Sequence, residues 1–278
     1  MTTKDAIAFG SRLVASPTAK LRAAVLVRPT AGIESARPLH GEPGAVYARA
    51  LEQHEILRKT LAFFGVDTIV LDARGEDAYE SAVLDAAAVF ADGAFVMRPT
   101  EMSRRAEADR LEAEFARIGM PIAGRIGAPG LLDGSDVLLA GTTAFIGAGA
   151  RGNAFGREQF AAAAKERGFD PVEVPLPAAA PPLRALACAV ASDTVVVAAE
   201  GPDPAVFRGF KTILLERGEA SAAGVLVLGE RHVIADVRYK TSLARMRKSG
   251  LTVEGIDLYD FEKVGITPSM LALGVKRG

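Results

Sequence analysis

Short apolar segments alternate with longer segments of helical periodicity along the whole chain. The short segments are rich in Val and Ala, which is typical of buried strands. In the longer segments, apolar residues recur at spacings of three and four positions, and this spacing predicts helices with one buried face. The order strand, strand, helix, strand recurs five times, and such a repetition predicts five structurally similar units.

The first unit begins with a strand over 22–30 and continues with a helix over 48–65, which Gly65 is expected to end. A strand over 66–72 completes this unit. A last strand over 269–277 is expected to pair with the first unit and so close a ring. The helices of the later units are predicted over 103–119, 156–168, 204–218 and 240–250.

The pattern predicts an α/β fold, a propeller of five ββαβ repeats around a central polar channel. In the fourth unit, the closing strand is predicted over 222–229, after the helix over 204–218. The segment PAAAPP at 177–182 resembles a linker, but it lies between two units and is too short to separate domains. Residues 1–278 are therefore expected to form a single domain.

The composition is that of a soluble globular protein, with 49% hydrophobic and 24% charged residues in 278. The net charge is −1 and no basic stripe is present, which argues against nucleic acid or an anionic membrane as the partner. No uncharged apolar segment is long enough to span a bilayer. One cysteine, Cys188, excludes an intramolecular disulfide, and a cytoplasmic location is the expectation.

Two segments carry most of the polar motifs. Residues 131–156 read LLDGSDVLLAGTTAFIGAGARGNAFG, and residues 81–107 read SAVLDAAAVFADGAFVMRPTEMSRRAE. These motifs resemble those of the dimethylarginine dimethylaminohydrolases, which belong to the guanidine-modifying (pentein, or amidinotransferase-like) superfamily. Leu84 departs from a family Glu, Ser135 from a Gly and Gly152 from a Thr. The matching positions are Asp85, Arg98, Ser103, Arg104, Arg105, Glu107, Asp133, Gly134, Asp136, Gly147, Arg151, Asn153 and Gly156.

The resemblance implies a covalent chemistry whose nucleophile and base are missing from this sequence. In the family, a cysteine thiolate attacks a guanidinium carbon and a histidine transfers protons. The cysteine position falls on Pro268 or Ser269, and the histidine position on Leu183 or Arg184. Cys188 lies in an apolar strand and is expected to be a buried core thiol. The sequence thus predicts that cysteine-dependent hydrolysis of a guanidino substrate is absent.

The resemblance also implies a ligand site in which acidic side chains hold a cation and arginines hold a carboxylate. Its ligand would be a basic amino acid such as arginine, a methylated arginine, citrulline or ornithine. Aspartates beside a glycine at the start of a strand are also typical of turns. This interpretation stays open for Asp133 and Asp136. The candidate ligand-binding residues are Asp85, Arg98, Asp133, Asp136, Arg151 and His40.

The three histidines are expected to differ in role. His40 lies in a loop that covers the active-site mouth in the related enzymes, and loop residues often carry function. His54 lies in a predicted helix and is expected to face solvent or to pack, whereas His232 opens a predicted strand and is expected to be structural. No paired-histidine motif indicates a metal site, and no cofactor is expected.

Three functions remain open at this point. The first is a non-catalytic protein that binds a small amino acid or guanidino ligand. The second is a hydrolase of changed mechanism, with Asp85 or His40 as base. The third is a structural or assembly role, with a second copy of the chain or a paralogue as partner. A channel plugged by Leu183, Arg184 or Pro268, or an Arg184 guanidinium inside the acidic pocket, would favour the third.

Overall fold

The computed structural model describes residues 10, 12–39, 41–73 and 75–278. Within them, the strands form five three-stranded sheets. In each sheet, the middle strand runs antiparallel to one neighbour and parallel to the other. This repeated order agrees with the five units that the hydrophobic pattern predicts.

Each sheet consists, in order, of the antiparallel neighbour, the middle strand and the parallel neighbour. The five sheets are β15 (Leu273–Arg277), β1 (Leu21–Val27) and β2 (Asp67–Leu71); β3 (Ala87–Val89), β4 (Ala94–Val96) and β5 (Ile122–Arg125); β6 (Val137–Ala140), β7 (Thr143–Ala148) and β8 (Asp170–Pro175); β9 (Ala187–Ala191), β10 (Thr194–Val197) and β11 (Lys211–Leu214); β12 (Leu226–Gly229), β13 (His232–Asp236) and β14 (Thr252–Ile256).

Four helices make the crossover between a middle strand and its parallel neighbour, a connection that needs a dozen or more residues. Gly65 and Gly119 follow the first two of them with φ of 75° and 74°, a left-handed conformation that favours glycine and ends the helix. The crossover helices are α1 (Tyr47–Phe63), α2 (Arg105–Arg117), α3 (Ala154–Glu166) and α5 (Lys240–Lys248); two single-turn helices are α4 (Leu183–Leu186) and α6 (Tyr259–Glu262).

The helix predicted over 204–218 is wrong. One 3-10 turn, Pro204–Val206, precedes β11, and Gly209 adopts a φ of 88° between them. The apolar residues that produced the helical spacing, among them Phe207, instead pack in the cluster around β10. As a result β11 closes the fourth sheet, and the segment predicted to close it forms β12 of the fifth sheet.

The predicted pairing of the last strand with the first unit is confirmed. β15 pairs antiparallel with β1, with Ala24 opposite Gly274. The buried apolar side chains form five clusters, each shared by two successive sheets, including the fifth and the first. Within the described ranges, no helix combines the length and apolar character that crossing a membrane needs.

Each of the strands β3, β6, β9, β12 and β15 follows a short helical turn, and these turns contact one another. The strands themselves line one common cavity of about 470 Å³. We call them the inner strands. The turns are Val83–Ala86, Gly134–Asp136, α4, Ala220–Ala223 and Pro268–Met270, and they carry most of the predicted site residues.

Candidate functional site

Asp85 is brought against the turn that contains Asp133 and Asp136, 50 residues further along the chain. The carboxylate of Asp85 is 1% exposed, and its Oδ1 accepts a hydrogen bond from the Ser135 amide at 3.3 Å. Gly134 permits this approach, because a Cβ there would lie 2.0 Å from the Leu84 carbonyl oxygen. Asp85 therefore lies against the turn that follows Asp133 and contains Asp136, although none of the three aspartates lines the cavity between the inner strands.

Asp85 forms an ion pair with Arg104, which was not among the site residues predicted from the sequence. Arg104 Nη1 donates to Asp85 Oδ2 at 2.6 Å, and Arg104 Nη2 donates to Glu107 Oε2 at 2.8 Å. Burial works to lower the pKa of Arg104, but the carboxylates of Asp85 and Glu107 raise it above its ordinary value. The signal in the sequence was Arg104 and Glu107 at a spacing of three in the Ser-Arg-Arg-x-Glu motif.

Asp133 is buried, and little positive charge lies close to its carboxylate. Its Oδ1 accepts from the Thr100 amide at 2.7 Å, while its Oδ2 lies 3.5 Å from Arg151 Nη1. The Arg151 side chain is 41% exposed, so this contact is loose and reaches solvent. Burial first, and the negative charge of Asp85 second, raise the pKa of Asp133 to about 7.

Asp136 binds the backbone of the next repeat. Its Oδ1 accepts from the Leu183 amide at 2.7 Å, which fixes α4 against the turn before β6. Burial raises the pKa of Asp136 to about 6. Gly147 lies beside it, and a Cβ there would be 2.9 Å from the Asp136 carboxyl carbon. Asp136 thus has a structural role between two repeats, which differs from the role within its own turn that the sequence left as an alternative.

Arg98 lies on a backbone segment next to Asp133 and Arg151. Its carbonyl accepts from the Leu132 amide at 3.0 Å, and the Asp133 amide donates to the Arg151 carbonyl at 2.9 Å. The Arg98 side chain donates through Nη1 to the Gly130 carbonyl at 3.1 Å. The remaining predicted site residue, His40, lies outside the described residues.

The family histidine is expected at Leu183 or Arg184. The side chains of these two residues have different surroundings. Leu183 is fully buried, with its amide on Asp136. Arg184 lines the cavity between the inner strands, and its Nη2 lies 3.7 Å from Cys188 Sγ. Among the contacts of the described residues, the Arg184 guanidinium therefore does not replace a ligand at Asp85 or Asp136.

Ser269 is one of the two residues, with Pro268, expected at the family cysteine position, and it lies in the turn before β15. It is buried, its Oγ donates to the Arg184 carbonyl at 3.2 Å, and Thr267 Oγ1 is 3.0 Å away. Pro268 is buried at the first position of the same turn. The hydroxyl of Ser269 is thus surrounded by hydrogen-bonding groups that do not take up a proton at neutral pH.

The described imidazoles and the thiol have other surroundings. His54 is buried in α1, where burial lowers its pKa to about 4. His232 pairs with Glu254 at 2.9 Å on the outer part of the fifth sheet. Cys188 is buried in β9, and burial raises the pKa of its thiol, so the expected core thiol is confirmed. Within the described residues, no group of His, Cys, Asp and Glu side chains could hold a metal ion.

No family model matches the sequence. Two curated proteins are similar to it over most of their length. A dimethylarginine dimethylaminohydrolase from Streptomyces coelicolor is 30% identical over 243 residues, which are 87% of this chain and 92% of that protein. The same enzyme from Pseudomonas aeruginosa is 28% identical over 229 residues, 82% of this chain and 89% of that protein.

Solved structures extend this similarity to the fold. A cysteine-to-serine variant of the Pseudomonas aeruginosa enzyme, complexed with citrulline, superposes with a TM-score of 0.82 at 25% identity, covering 91% of this chain and 99% of that one. The N-terminal domain of a cyanobacterial arginine dihydrolase gives 0.76 at 17% identity, covering 92% and 98%. An amidinotransferase from Microseira wollei gives 0.77 at 14% identity, covering 96% and 97%. The last two show the fold alone.

Proposed function

The chain belongs to the dimethylarginine dimethylaminohydrolase family, and from this premise we propose that it binds arginine or a related amino acid without performing cysteine-dependent hydrolysis. The observation that carries the proposal is Ser269. Ser269 and Pro268 are the two positions where the resemblance places the nucleophilic thiol, and the Ser269 hydroxyl hydrogen-bonds to the Arg184 carbonyl. A hydroxyl needs an adjacent base to attack a guanidinium carbon. Loss of a nucleophile and its base typically lowers the rate by about 10⁶.

The charges around Asp133 support binding of a cationic group. The raised pKa values of Asp133 and Asp136 mean that these buried carboxylates lack sufficient positive charge nearby. A ligand cation would favour their ionised forms. Two buried hydroxyls on the same segments, Thr100 Oγ1 and Ser135 Oγ, have no hydrogen-bond partner within the described part of the chain. Polar atoms of a ligand would satisfy them.

Arg151 supports binding of the ligand's carboxylate. Its guanidinium is partly exposed and lies at 3.5 Å from Asp133, so most of its five donors remain available. An anion at Arg151 and a cation at Asp133 together describe a zwitterionic amino acid with a basic side chain. The relative from Pseudomonas aeruginosa has been solved with citrulline, an amino acid that carries a neutral ureido group in place of the basic group.

A structural or assembly role is the second candidate, and Arg104 is the observation that favours it. The Arg104 guanidinium already neutralises Asp85 as a bound ligand would. Leu183 and Pro268 are also buried among the turns before the inner strands. A second copy of the chain or a paralogue would then be the partner.

A hydrolase of changed mechanism is favoured by Asp133, since a pKa near 7 suits a general base.

The wider architecture completes the proposal. The shared cavity and the pairing of β15 with β1 support a single domain over 1–278, a propeller of five sheets around a central channel. The net charge of −1 supports a small-molecule ligand rather than nucleic acid, and the resemblance supports a cytoplasmic location.

Calorimetric titration of the full chain with arginine, citrulline, ornithine and dimethylarginine tests the proposal. We expect saturable binding of at least one of them by the parent protein. We expect Asp133→Asn to weaken it and Asp170→Asn, an exposed aspartate on β8, to leave it unchanged. Heat exchange that never exceeds the dilution heat at millimolar ligand would contradict amino-acid binding and favour the assembly role.

A further inference from the structure

The cavity between the inner strands is lined by cationic side chains. Arg184 reaches it from α4, Arg277 from the end of β15, and Arg12 and Arg167 line it as well. None of the described residues that line the cavity is an aspartate or a glutamate. This arrangement differs from the acidic cluster of Asp85, Asp133 and Asp136, which lies outside that lining.

Three of the four arginines have no carboxylate partner within the described residues: Arg12 is exposed and donates to two backbone carbonyls, whereas Arg184 and Arg277 are half-buried. Arg277 donates to the carbonyls of Ala19 and Val227, both at 3.0 Å. The Arg184 Nε is buried and has no hydrogen-bond partner in that part of the chain, and its Nη2 contacts the sulfur of Cys188. Arg167, in contrast, is paired with an aspartate of the β3–β4 turn at 2.8 Å.

Arg184 and Arg277 are close enough to repel each other. Burial first, and the charge of Arg184 second, lower the pKa of Arg277 to about 10, so Arg277 remains charged at neutral pH. Cys188 lies 3.7 Å from Arg184 Nη2, but burial raises the pKa of its thiol, which therefore supplies no negative charge. Two half-buried cations without an anion nearby reduce the stability of the folded state.

Leu84 lines the same cavity as Arg184 and precedes Asp85. Its side chain is apolar and supplies no negative charge to balance the guanidinium of Arg184.

We propose that the cavity binds a small oxyanion, a phosphate or a carboxylate, between the guanidinium groups of Arg184 and Arg277. Guanidinium groups present paired donors that match the two oxygens of either anion. A volume of about 470 Å³ is in the range of ordinary small-molecule sites and far exceeds the size of phosphate. Ser269 also lines this cavity, so the two sites are neighbours, but the anion would bind Arg184 and Arg277, neither of which contributes to the proposed amino-acid site.

The test uses inorganic phosphate and succinate as probes, each titrated calorimetrically into the full chain at constant ionic strength maintained with chloride. We expect saturable binding of at least one probe. Saturation by phosphate assigns a phosphate site, and saturation by succinate assigns a carboxylate site. Binding of neither probe beyond the chloride control overturns the proposal.

Arg184→Met is the decisive variant, because the Arg184 guanidinium makes few contacts that folding needs. We expect about tenfold or greater loss of probe affinity, as for removal of one charged hydrogen-bond donor. We also expect a higher melting temperature of the unliganded variant, since the repulsion of Arg277 is relieved. Arg208→Met, an exposed arginine outside the cavity, is the matched control and should bind as the parent does.

Arg277→Met should lose the same affinity, but it also removes two hydrogen bonds to backbone carbonyls and lowers stability. The conclusion therefore depends on Arg184→Met, which is expected to fold. Probe affinity that is unchanged in a folded Arg184→Met would overturn the proposal, whatever Arg277→Met shows.

Discussion

Arg104 Nη1 lies 2.6 Å from Asp85 Oδ2, and both side chains are almost completely buried. The ion pair joins the turn before β3 to the start of α2, and Glu107 supplies the second carboxylate. A cation thus already occupies one face of Asp85. The opposite oxygen of Asp85 accepts one long hydrogen bond from Ser135. Because Arg104 already neutralises Asp85, Asp133 is the acid of the cluster that most needs a positive charge.

We expect Arg104→Met to destabilise the protein by about 3–5 kcal/mol, because it leaves Asp85 and Glu107 buried without a cation. Denaturant unfolding of parent and variant measures this difference. Arg117→Met, which breaks an exposed pair with Glu114, is the control and should change stability by less than about 1 kcal/mol. Equal effects of the two substitutions would show that the buried pair is not a stability determinant.

We expect no citrulline from dimethylarginine or arginine, because Ser269 has no imidazole partner among the described side chains. A colorimetric citrulline assay, with an active family member as positive control, checks this. Ser269→Cys should also stay inactive, since a thiol without a base regains little of the lost rate. Citrulline that forms in the parent and disappears in Cys188→Ala would reveal a relocated nucleophile and disprove the prediction.

The repeat pattern allowed much of the site to be predicted. Equivalent strand starts in successive units must lie near each other, and this places Asp85 beside the turn of Asp133 and Asp136 without knowledge of any contact. Arg104 was missed as a site residue because a basic residue at a helix start usually faces solvent. Its burial depends on how α2 packs against the turn before β3, which the local sequence does not specify.

Other parts of the fold are ambiguous in the sequence for physical reasons. The spacing of Val206, Phe207 and Phe210 fits a helix as well as a compact loop packed on a sheet, and the chain forms the loop. The direction of the Arg184 side chain depends on how α4 is placed along the chain. The backbone amide of Leu183 donates to Asp136, and the side chain of the next residue, Arg184, lines the cavity. This placement is fixed by tertiary contacts rather than by residue type.

The stability contributed by Asp133 and Asp136 should fall as the pH rises from about 4 to about 7, while His54, whose pKa is lowered to about 4, contributes in the opposite direction. The folded-state pKa of Asp133, about 7, lies above its ordinary value of 3.8, and that of Asp136, about 6, is raised too. Between these values the folded protein holds protons that the unfolded chain releases, so the stabilisation is complete below the ordinary pKa and is lost through the folded pKa. Unfolding free energies measured across this range in parent and Asp133→Asn check the effect.

Asp133→Asn should flatten this pH dependence, whereas the exposed Asp170→Asn should retain the parental profile. A parent whose stability, relative to that of Asp133→Asn, rises over the same range would contradict the assignment. In that case the pKa of Asp133 would be lowered by Arg151 more than burial raises it, and the cluster would already be compensated in charge.

Arginine affinity should rise between about pH 5 and pH 8, because the ligand cation binds the ionised form of Asp133, whose pKa is about 7. Arg151→Ala should weaken binding about tenfold or more at every pH, since it removes a charged donor to the ligand carboxylate. Arg184→Ala should leave arginine binding as in the parent, because the Arg184 side chain lines the cavity and not the acidic cluster. Calorimetry of these variants across the pH range measures all three effects. Binding that appears only in Arg184→Ala would show instead that this guanidinium competes with the ligand, and the site would have to be extended from the acidic cluster into the cavity.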